Sequence, residues 1–400
     1  MTHPLVKVED MFNSFEMRLR KYTMHKRYSR ILLAHTIALV FYSLTSITSY
    51  SFAKSNYFYS PDLLNSRYTG WALEAQIEGE KHNPSINLLS AWKRFKKRGK
   101  TVVAVIDTGI DNSHPFLINN LYISKGRSNN NNYGRDFSKG RSSIYRPTDR
   151  HGHGTHISGI IKSVFPDVDI LTLKYYDAKA SGQDNLSSTI KALRYAVDQN
   201  VDIINYSGGG PEPADDELKI LKEAERKGIL VVAAAGNEKS NIDHQKNAYY
   251  PASYGLSNII TVTAHDRKTQ LLASANYGKI QVDIFAPGDR IKSSLPYRRA
   301  GYLTGTSQST AFVTGVSALI KSKYPHLKAQ QIKKIITKSA YREVSMMSKC
   351  RSGGRLDAGK ALELADRLVA GVDSRQDSKA AIRELATKKR KGKIIYHRSN

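Results

Sequence analysis

From about residue 100, short apolar runs alternate with amphipathic stretches, and this alternation restricts the fold more than any other feature of the chain. The runs are rich in β-branched residues, the pattern of buried strands, and lie at 101–107, 169–177, 202–207, 229–236, 258–264 and 282–288. Helical patterns follow at 187–200, 215–228, 307–325 and 328–340. Strands that alternate with helices form a parallel sheet covered on both faces. The predicted fold is α/β, with three α/β/α layers around a mostly parallel, doubly wound sheet.

Local signals predict the ends of two helices. Ser187 has the side chain of an N-cap for the helix over 187–200. The helix over 215–228 opens with acidic residues, which favour a helix N-terminus, and Gly228 is its predicted stop.

The segments on either side of this pattern differ from it in composition. A basic stretch at 24–30 precedes an apolar run at 31–42 that is short for a membrane span. Residues 51–53 have small side chains at the positions that a signal peptidase reads, and the expected cleavage is after Ala53. This is typical of an export signal, so we expect a secreted or periplasmic protein; the alternative is an uncleaved membrane anchor. The expected organisation is a leader and signal peptide over 1–53, an N-terminal segment over 54–84, a catalytic domain over 85–366 and a basic tail over 367–400.

Charge and cysteine content restrict the possible partners. A net charge of +27 favours anionic surfaces or acidic substrates. The basic residues are scattered, without a zinc-finger or basic-zipper pattern, so no specific nucleic acid is predicted. The single cysteine, Cys350, excludes an internal disulfide and a cysteine-based metal cluster. No stable protein partner is implied.

Polar residues stand where predicted strands end or helices begin, which is where α/β sheets bind ligands. Asp107 and Asn237 each end a strand, "SGGGP" ends another at 207–211, "HGHGTH" spans 151–156, and Ser307 opens a helix. Taken alone, each motif has another interpretation. Asn237 or Ser307 can be a cap, "SGGGP" a plain glycine turn, and the histidines of "HGHGTH" a zinc site. Asp-Thr-Gly also occurs in aspartic proteases, but these need a second copy, which this chain lacks.

The motifs taken together are much more specific than each alone. "VIDTGID", "HGTHISG" and "GTSQSTAFVTG" occur in that order, flanked by "SGGGP", "AAAGNE", "YPA", "ASANYG", "FAPG" and "GGRLDAGKAL". Over roughly 85–360 the chain resembles the subtilisin-like serine proteases, or subtilases, whose triad runs in the order Asp, His, Ser.

The resemblance implies a role for each motif residue. Asp107, His153 and Ser307 would be the triad of an exported serine endopeptidase that works through an acyl-enzyme, and Asn237 would donate to the oxyanion. Residues implied to contact a polypeptide substrate are Ser207, Gly208, Gly209, Tyr249 and Asp149. The alternative is a non-catalytic, peptide-binding relative.

Departures from the family pattern carry further expectations. Phe116 stands where relatives often have a calcium-binding Asp, and the loop that completes that site is short. No metal and no cofactor is therefore expected. Ala311 replaces a frequent proline in the serine helix. Between Ala53 and Thr101 there is no room for a folded pro-domain as well as the usual N-terminal segment.

Two expectations concern the first specificity pocket. The Tyr250–Pro251 bond matches a family position that is commonly cis. Tyr249 falls where many relatives have glycine at the base of this pocket, so its ring is expected to fill the cavity and favour small P1 side chains such as Ala or Ser. Alternatively, Tyr249 swings out and leaves an open pocket.

Overall fold

The computed structural model describes residues 70–73, 83–123, 133–139 and 144–371. Strands are β1 Val102–Asp107, β2 Gly134–Asp136, β3 Asp169–Lys174, β4 Ile203–Tyr206, β5 Leu230–Ala234, β6 Ile259–His265, β7 Ile284–Pro287, β8 Ile291–Leu295, β9 Arg299–Leu303, β10 Tyr341–Arg342 and β11 Gly354–Arg355. Helices are α1 Leu88–Arg94, α2 His153–Val164, α3 Gly182–Asp198, α4 Asp215–Lys227, α5 Thr306–Lys323, α6 Ala329–Lys338 and α7 over 358–371. Short 3₁₀ turns are Ile118–Asn120, Gln245–Asn247, Ala252–Tyr254 and Val344–Met346.

The described strands form a nine-stranded sheet and a separate hairpin. The sheet order is β10-β11-β7-β6-β5-β4-β1-β3-β2, and every pair in it is parallel except β10 with β11. β8 and β9 pair antiparallel outside this sheet. Helices α2, α5 and α6 pack on one face of the large sheet and α3 and α4 on the other, so the three-layer α/β/α prediction is confirmed.

The register of β1 with its two neighbours brings polar residues to one edge. β1 lies between β3 and β4, with Ile106 aligned to Leu173 and Tyr206. Val103 and Val105 enter one core, and Ala104 and Ile106 enter the other, because successive strand residues face opposite sides. Asp107 therefore lies at the end of the third strand from the β2 edge of the sheet, beside the end of β4.

Two helix predictions have different outcomes. Gly228 ends α4 with φ of 75°, as predicted. The prediction that Ser187 is the N-cap is wrong, because α3 begins at Gly182. Its N-cap is Ser181, whose side chain accepts a hydrogen bond from the Asp184 amide at 3.1 Å. Ser181-x-x-Asp184 satisfies the free amides of the first turn, which extends the helix back through a polar stretch.

Several expectations fall partly or wholly outside the described residues. The leader and signal peptide over 1–53 do, as does the tail from 372 onward. The expected boundary at 366 falls inside α7, which continues through 371. Of the described residues, no helix combines the length and apolarity that crossing a membrane requires.

Candidate active site

The central carboxylate of the site is Asp107, at the end of β1. It is buried and accepts a hydrogen bond from the Thr108 amide at 2.7 Å. His153 Nδ1 lies 2.7 Å from Asp107 Oδ1. A carboxylate can only accept, so His153 donates through Nδ1 and keeps Nε2 as the free, basic nitrogen. A buried carboxylate costs free energy unless it is hydrogen-bonded, and these two contacts meet that requirement.

The Asp107 charge also sets the basicity of the imidazole. Burial works against a charged ring, but the charge and hydrogen bond of Asp107, with a further contribution from Asp149, outweigh it. The net result is a pKa of His153 raised above its ordinary value.

Asp149 holds the turn that leads into His153. Its buried carboxylate accepts hydrogen bonds from the amides of His151, Gly152 and Thr155 and from two hydroxyls, those of Thr108 and Thr155, at 2.6–3.0 Å. Both oxygens are thus used within the protein, and they fix the start of α2. Asp149 acts here as a positioning residue; the substrate contact predicted for it stays a prediction.

The other two histidines of the cluster lie in different surroundings. His156 is buried, its Nε2 lies 2.9 Å from the Ile291 carbonyl, and burial lowers its pKa to about 4. It therefore packs as a neutral ring. His151 is exposed, with ring centroids 5.4 Å from Tyr176 and 6.4 Å from His153. Within the described ranges, no His, Cys, Asp and Glu side chains cluster as a metal site would require.

Ser307 lies in the first turn of α5. Its hydroxyl donates to the Ser207 carbonyl at 2.9 Å, and the Ser207 hydroxyl donates to the Ser307 carbonyl at 3.3 Å. Ser207 follows β4, the neighbour of β1, so Ser307 and the Asp107–His153 pair lie at the same edge of the sheet. In the described structure the Ser307 hydroxyl is hydrogen-bonded to Ser207, and not to His153.

Asn237 follows β5 and faces the start of the same helix. Its Oδ1 accepts a hydrogen bond from the Thr306 amide at 3.0 Å. The side chain is exposed, and no other described residue bonds its Nδ2. The amide nitrogen is thereby free to donate to a group placed beside Ser307.

Tyr249, the residue predicted to fill the first pocket, packs its ring against two glycines. A Cβ built at Gly209 would lie 2.4 Å from Tyr249 Cε1, and one at Gly236 would lie 3.0 Å from Tyr249 Cδ2. The ring of Tyr249 is therefore packed between these two glycines. Tyr249 directly precedes the Tyr250–Pro251 bond. That bond is cis, as the sequence predicted. Burial, with the nearby Glu238 charge, raises the pKa of Tyr249, so its hydroxyl stays protonated.

The glycine segment that follows β4 lies beside Tyr249 and Tyr250. Gly210 and Tyr250 exchange two hydrogen bonds, at 3.0 and 2.8 Å, which hold the segment against the Tyr249 side of the pocket. At Gly208 a Cβ would lie 2.6 Å from the Tyr175 hydroxyl. At Gly209 a Cβ would lie 2.4 Å from the Tyr250 carbonyl oxygen, so only glycine fits there.

Some supporting residues were missed from the sequence. Asn205, fully buried in β4, donates to the Ser207 hydroxyl at 2.9 Å and accepts from Thr314 at 2.8 Å. The sequence signal that could have identified Asn205 is a side-chain amide within an otherwise apolar strand. The β8–β9 hairpin was also missed, although the Ser293 and Ser294 hydroxyls donate to the His156 and Thr155 carbonyls. Its short, polar strands carry little hydrophobic pattern.

At the position expected to lack calcium, a lysine ammonium is present. Lys162, buried on α2, donates to the Phe116 carbonyl and lies 4.6 Å from the centroid of the Phe116 ring.

Comparisons with known proteins agree with this geometry. The model of the subtilase family matches residues 98–378. The chain is 35% identical to the major intracellular serine protease of Bacillus subtilis strain 168, over 58% of this chain and 71% of that protein. It is also 35% identical to subtilisin amylosacchariticus of Bacillus subtilis subsp. amylosacchariticus, over 56% of each. A solved chain of the subtilase cytotoxin SubAB assembly superposes with a TM-score of 0.61 at 24% identity, covering 74% of this chain and 96% of that one.

Proposed function

The chain belongs to the subtilase family and is a serine-type endopeptidase, and from this premise we propose that Asp107, His153 and Ser307 are its catalytic triad. The observation that carries the proposal is the 2.7 Å contact between Asp107 and His153, at the sheet edge where Ser307 lies in the first turn of α5.

The proposed reaction assigns one step to each residue. The Ser307 hydroxyl turns from the Ser207 carbonyl, gives its proton to His153 Nε2 and attacks the scissile carbonyl carbon. Asp107 holds the imidazole in the required tautomer and stabilises the cation that forms. His153 then gives the proton to the leaving amine, and water hydrolyses the acyl-enzyme by the same route in reverse.

The oxyanion of the tetrahedral intermediate is assigned to Asn237 Nδ2 and the Ser307 amide. The Thr306 amide fixes Asn237 through Oδ1, so the donor is oriented before substrate binds. Such preorganised donors stabilise developing negative charge at no cost of reorganisation during the reaction. The alternative function is peptide binding without catalysis.

A fluorophosphonate probe separates these two functions. Catalysis requires an activated nucleophile, so the probe should modify Ser307 and no other serine, as read by peptide mass spectrometry. His153→Ala should prevent the labelling while leaving the hydroxyl in place. No labelling of the wild type would support the binding-only alternative, and labelling that survives His153→Ala would contradict the assignment of His153 as the base.

We predict that the acid limb of the kcat/KM profile lies above the ordinary histidine pKa. The base must be neutral, and Asp107 raises the pKa of His153, so activity is lost as pH falls through that raised value. The measurement is a pH profile on a peptide substrate, checked by NMR titration of His153 in the Ser307→Ala variant. A limb at or below the ordinary histidine value would contradict the prediction.

No cofactor is proposed, and chelation should have little effect on stability. Lys162 supplies a tethered ammonium at the Phe116 carbonyl, in a region where a hard cation would otherwise need oxygen ligands. Excess EDTA is therefore expected to shift Tm by less than about 2 °C, a change worth about 1 kcal/mol or less. The check is differential scanning calorimetry with and without added calcium; a large fall in Tm on chelation would indicate an unlocated site.

Polypeptides are the proposed substrates, and export is the proposed location. The support is the basic, apolar and small-residue order over 24–53, which lies outside the described residues. A similar enzyme is named as intracellular, so intracellular action and an uncleaved anchor are the competing locations. Mass spectrometry of the mature N-terminus in cell and medium fractions decides between them: export predicts an N-terminus near residue 54.

A further inference from the structure

A pocket outside the cleft lies between the Trp71 segment, helices α2 and α5 and the β8–β9 hairpin. Its volume is about 60 Å³. The floor is apolar, with Leu73, Ile160, Ile291 and Phe312 among its residues. Trp71 closes one side, held in place by a hydrogen bond from its Nε1 to the Asp289 carbonyl at 3.1 Å.

Three cations stand at the mouth of this pocket. Arg267 lies 5.8 Å from the centroid of the Trp71 ring, and Arg290 and Lys292 each lie 5.8 Å from that of Tyr302. Each of the three cationic groups thus contacts an aromatic ring. None of them forms an ion pair with a carboxylate of the described residues. Elsewhere a partner is present: Lys333 bonds Asp283 at 2.8 Å. The mouth therefore attracts an anion.

The floor and the mouth together specify the ligand. We propose that this pocket binds a carboxylate with a short apolar chain, the carboxylate at Arg290 and Lys292 and the chain over Ile160 and Phe312. A cavity of 60 Å³ holds about four to six groups the size of water, which limits the chain to about four carbons. A free phosphate would satisfy the cations but leave the apolar floor unfilled.

The pocket is separate from the proposed catalytic groups but shares their helices. Ile160 lies about two turns after His153 on α2, and Phe312 lies more than one turn after Ser307 on α5. Binding here does not need the triad to function, so the inference goes beyond the proposed activity and stands or falls separately from it.

The experiment is an NMR titration of the full chain labelled with ¹⁵N in the indole rings. The chain has two tryptophans, and Trp92, whose Nε1 donates to the Val164 carbonyl in the core, serves as the internal reference. Pentanoate is expected to give a saturable shift of the Trp71 signal. Acetate lacks the chain and pentanol lacks the charge, so each should bind at least tenfold more weakly. N-acetyl-leucine tests whether a peptide C-terminus binds better than a free fatty acid.

Variants locate the effect at the mouth. The pair Arg290→Gln and Lys292→Gln should weaken pentanoate binding at least tenfold, as should Tyr302→Ala, which removes an exposed wall. The matched pair Lys222→Gln and Arg226→Gln, exposed on α4 over the other sheet face, should have no effect. The proposal would be overturned if neither pentanoate nor N-acetyl-leucine gave a saturable shift. Binding of pentanol equal to that of pentanoate, or unchanged pentanoate affinity in the mouth variants, would also overturn it.

Discussion

Replacing Ser307 with alanine should lower kcat by about 10⁶-fold, the size of loss measured for nucleophile removal in a subtilisin. The change deletes one hydroxyl that is hydrogen-bonded to the Ser207 carbonyl, so the fold should persist. His153→Ala should be about as damaging, because without its base the hydroxyl is not activated. The measurement is kcat on a chromogenic peptide, with Tm recorded for each variant.

Ser317 offers a matched control on the same helix. Its hydroxyl is buried and has no hydrogen-bond partner among the described residues, so Ser317→Ala should keep both activity and Tm close to wild type. An active Ser307→Ala enzyme, or a loss of similar size in Ser317→Ala, would remove the assignment of Ser307 as nucleophile.

Opening the first pocket should change which peptides are cleaved. Tyr249→Gly is expected to raise kcat/KM for substrates with Phe at P1 by about 10–100-fold, since burying a Phe side chain is worth ~1.5–3 kcal/mol. The reason is steric: the Tyr249 ring is packed between Gly209 and Gly236, where the ring of a P1 Phe is expected to lie. Small P1 residues should remain the preference of the wild type, as measured with a P1 substrate library.

Tyr249→Phe is the matched control for this change. It keeps the ring and removes only the hydroxyl, so the P1 preference should stay that of the wild type. The alternative, in which the tyrosine swings out on binding, predicts that wild type already cleaves after Phe and that the glycine variant gains nothing.

The sheet follows from sequence patterns because it depends on local chemistry, whereas the roles of the site residues come from the resemblance to the subtilases and stay predictions. A β-branched run that ends in Asp107 is a buried strand in any α/β protein, and the carboxyl ends of parallel strands share one edge. The Gly228 stop follows from the same local logic. The start of α3 was missed because Gly182 and a polar stretch hide the periodicity, whereas the Ser181 cap extends the helix.

The remaining features depend on contacts between distant segments. That Ser307 bonds Ser207 rather than His153 is decided by side-chain rotation, which no motif encodes. The lysine at the Phe116 carbonyl comes from α2, 46 positions along the chain, and Lys162 alone looks like an ordinary surface residue. Arg267, Arg290 and Lys292 likewise become a cluster only when the hairpin folds against the Trp71 segment.

The hydrogen bonds between the β8–β9 hairpin and α2 have a consequence for synthesis of the chain. Its bonds to His156 and Thr155 join residues 135 to 139 positions apart, and the ribosome adds about 5–20 residues per second. The histidine helix is therefore made about 7–28 s before the strands that brace it, and before Ser307 is added. With Ser307 as the proposed nucleophile, a nascent chain is expected to cleave neither itself nor its neighbours until the domain is almost complete.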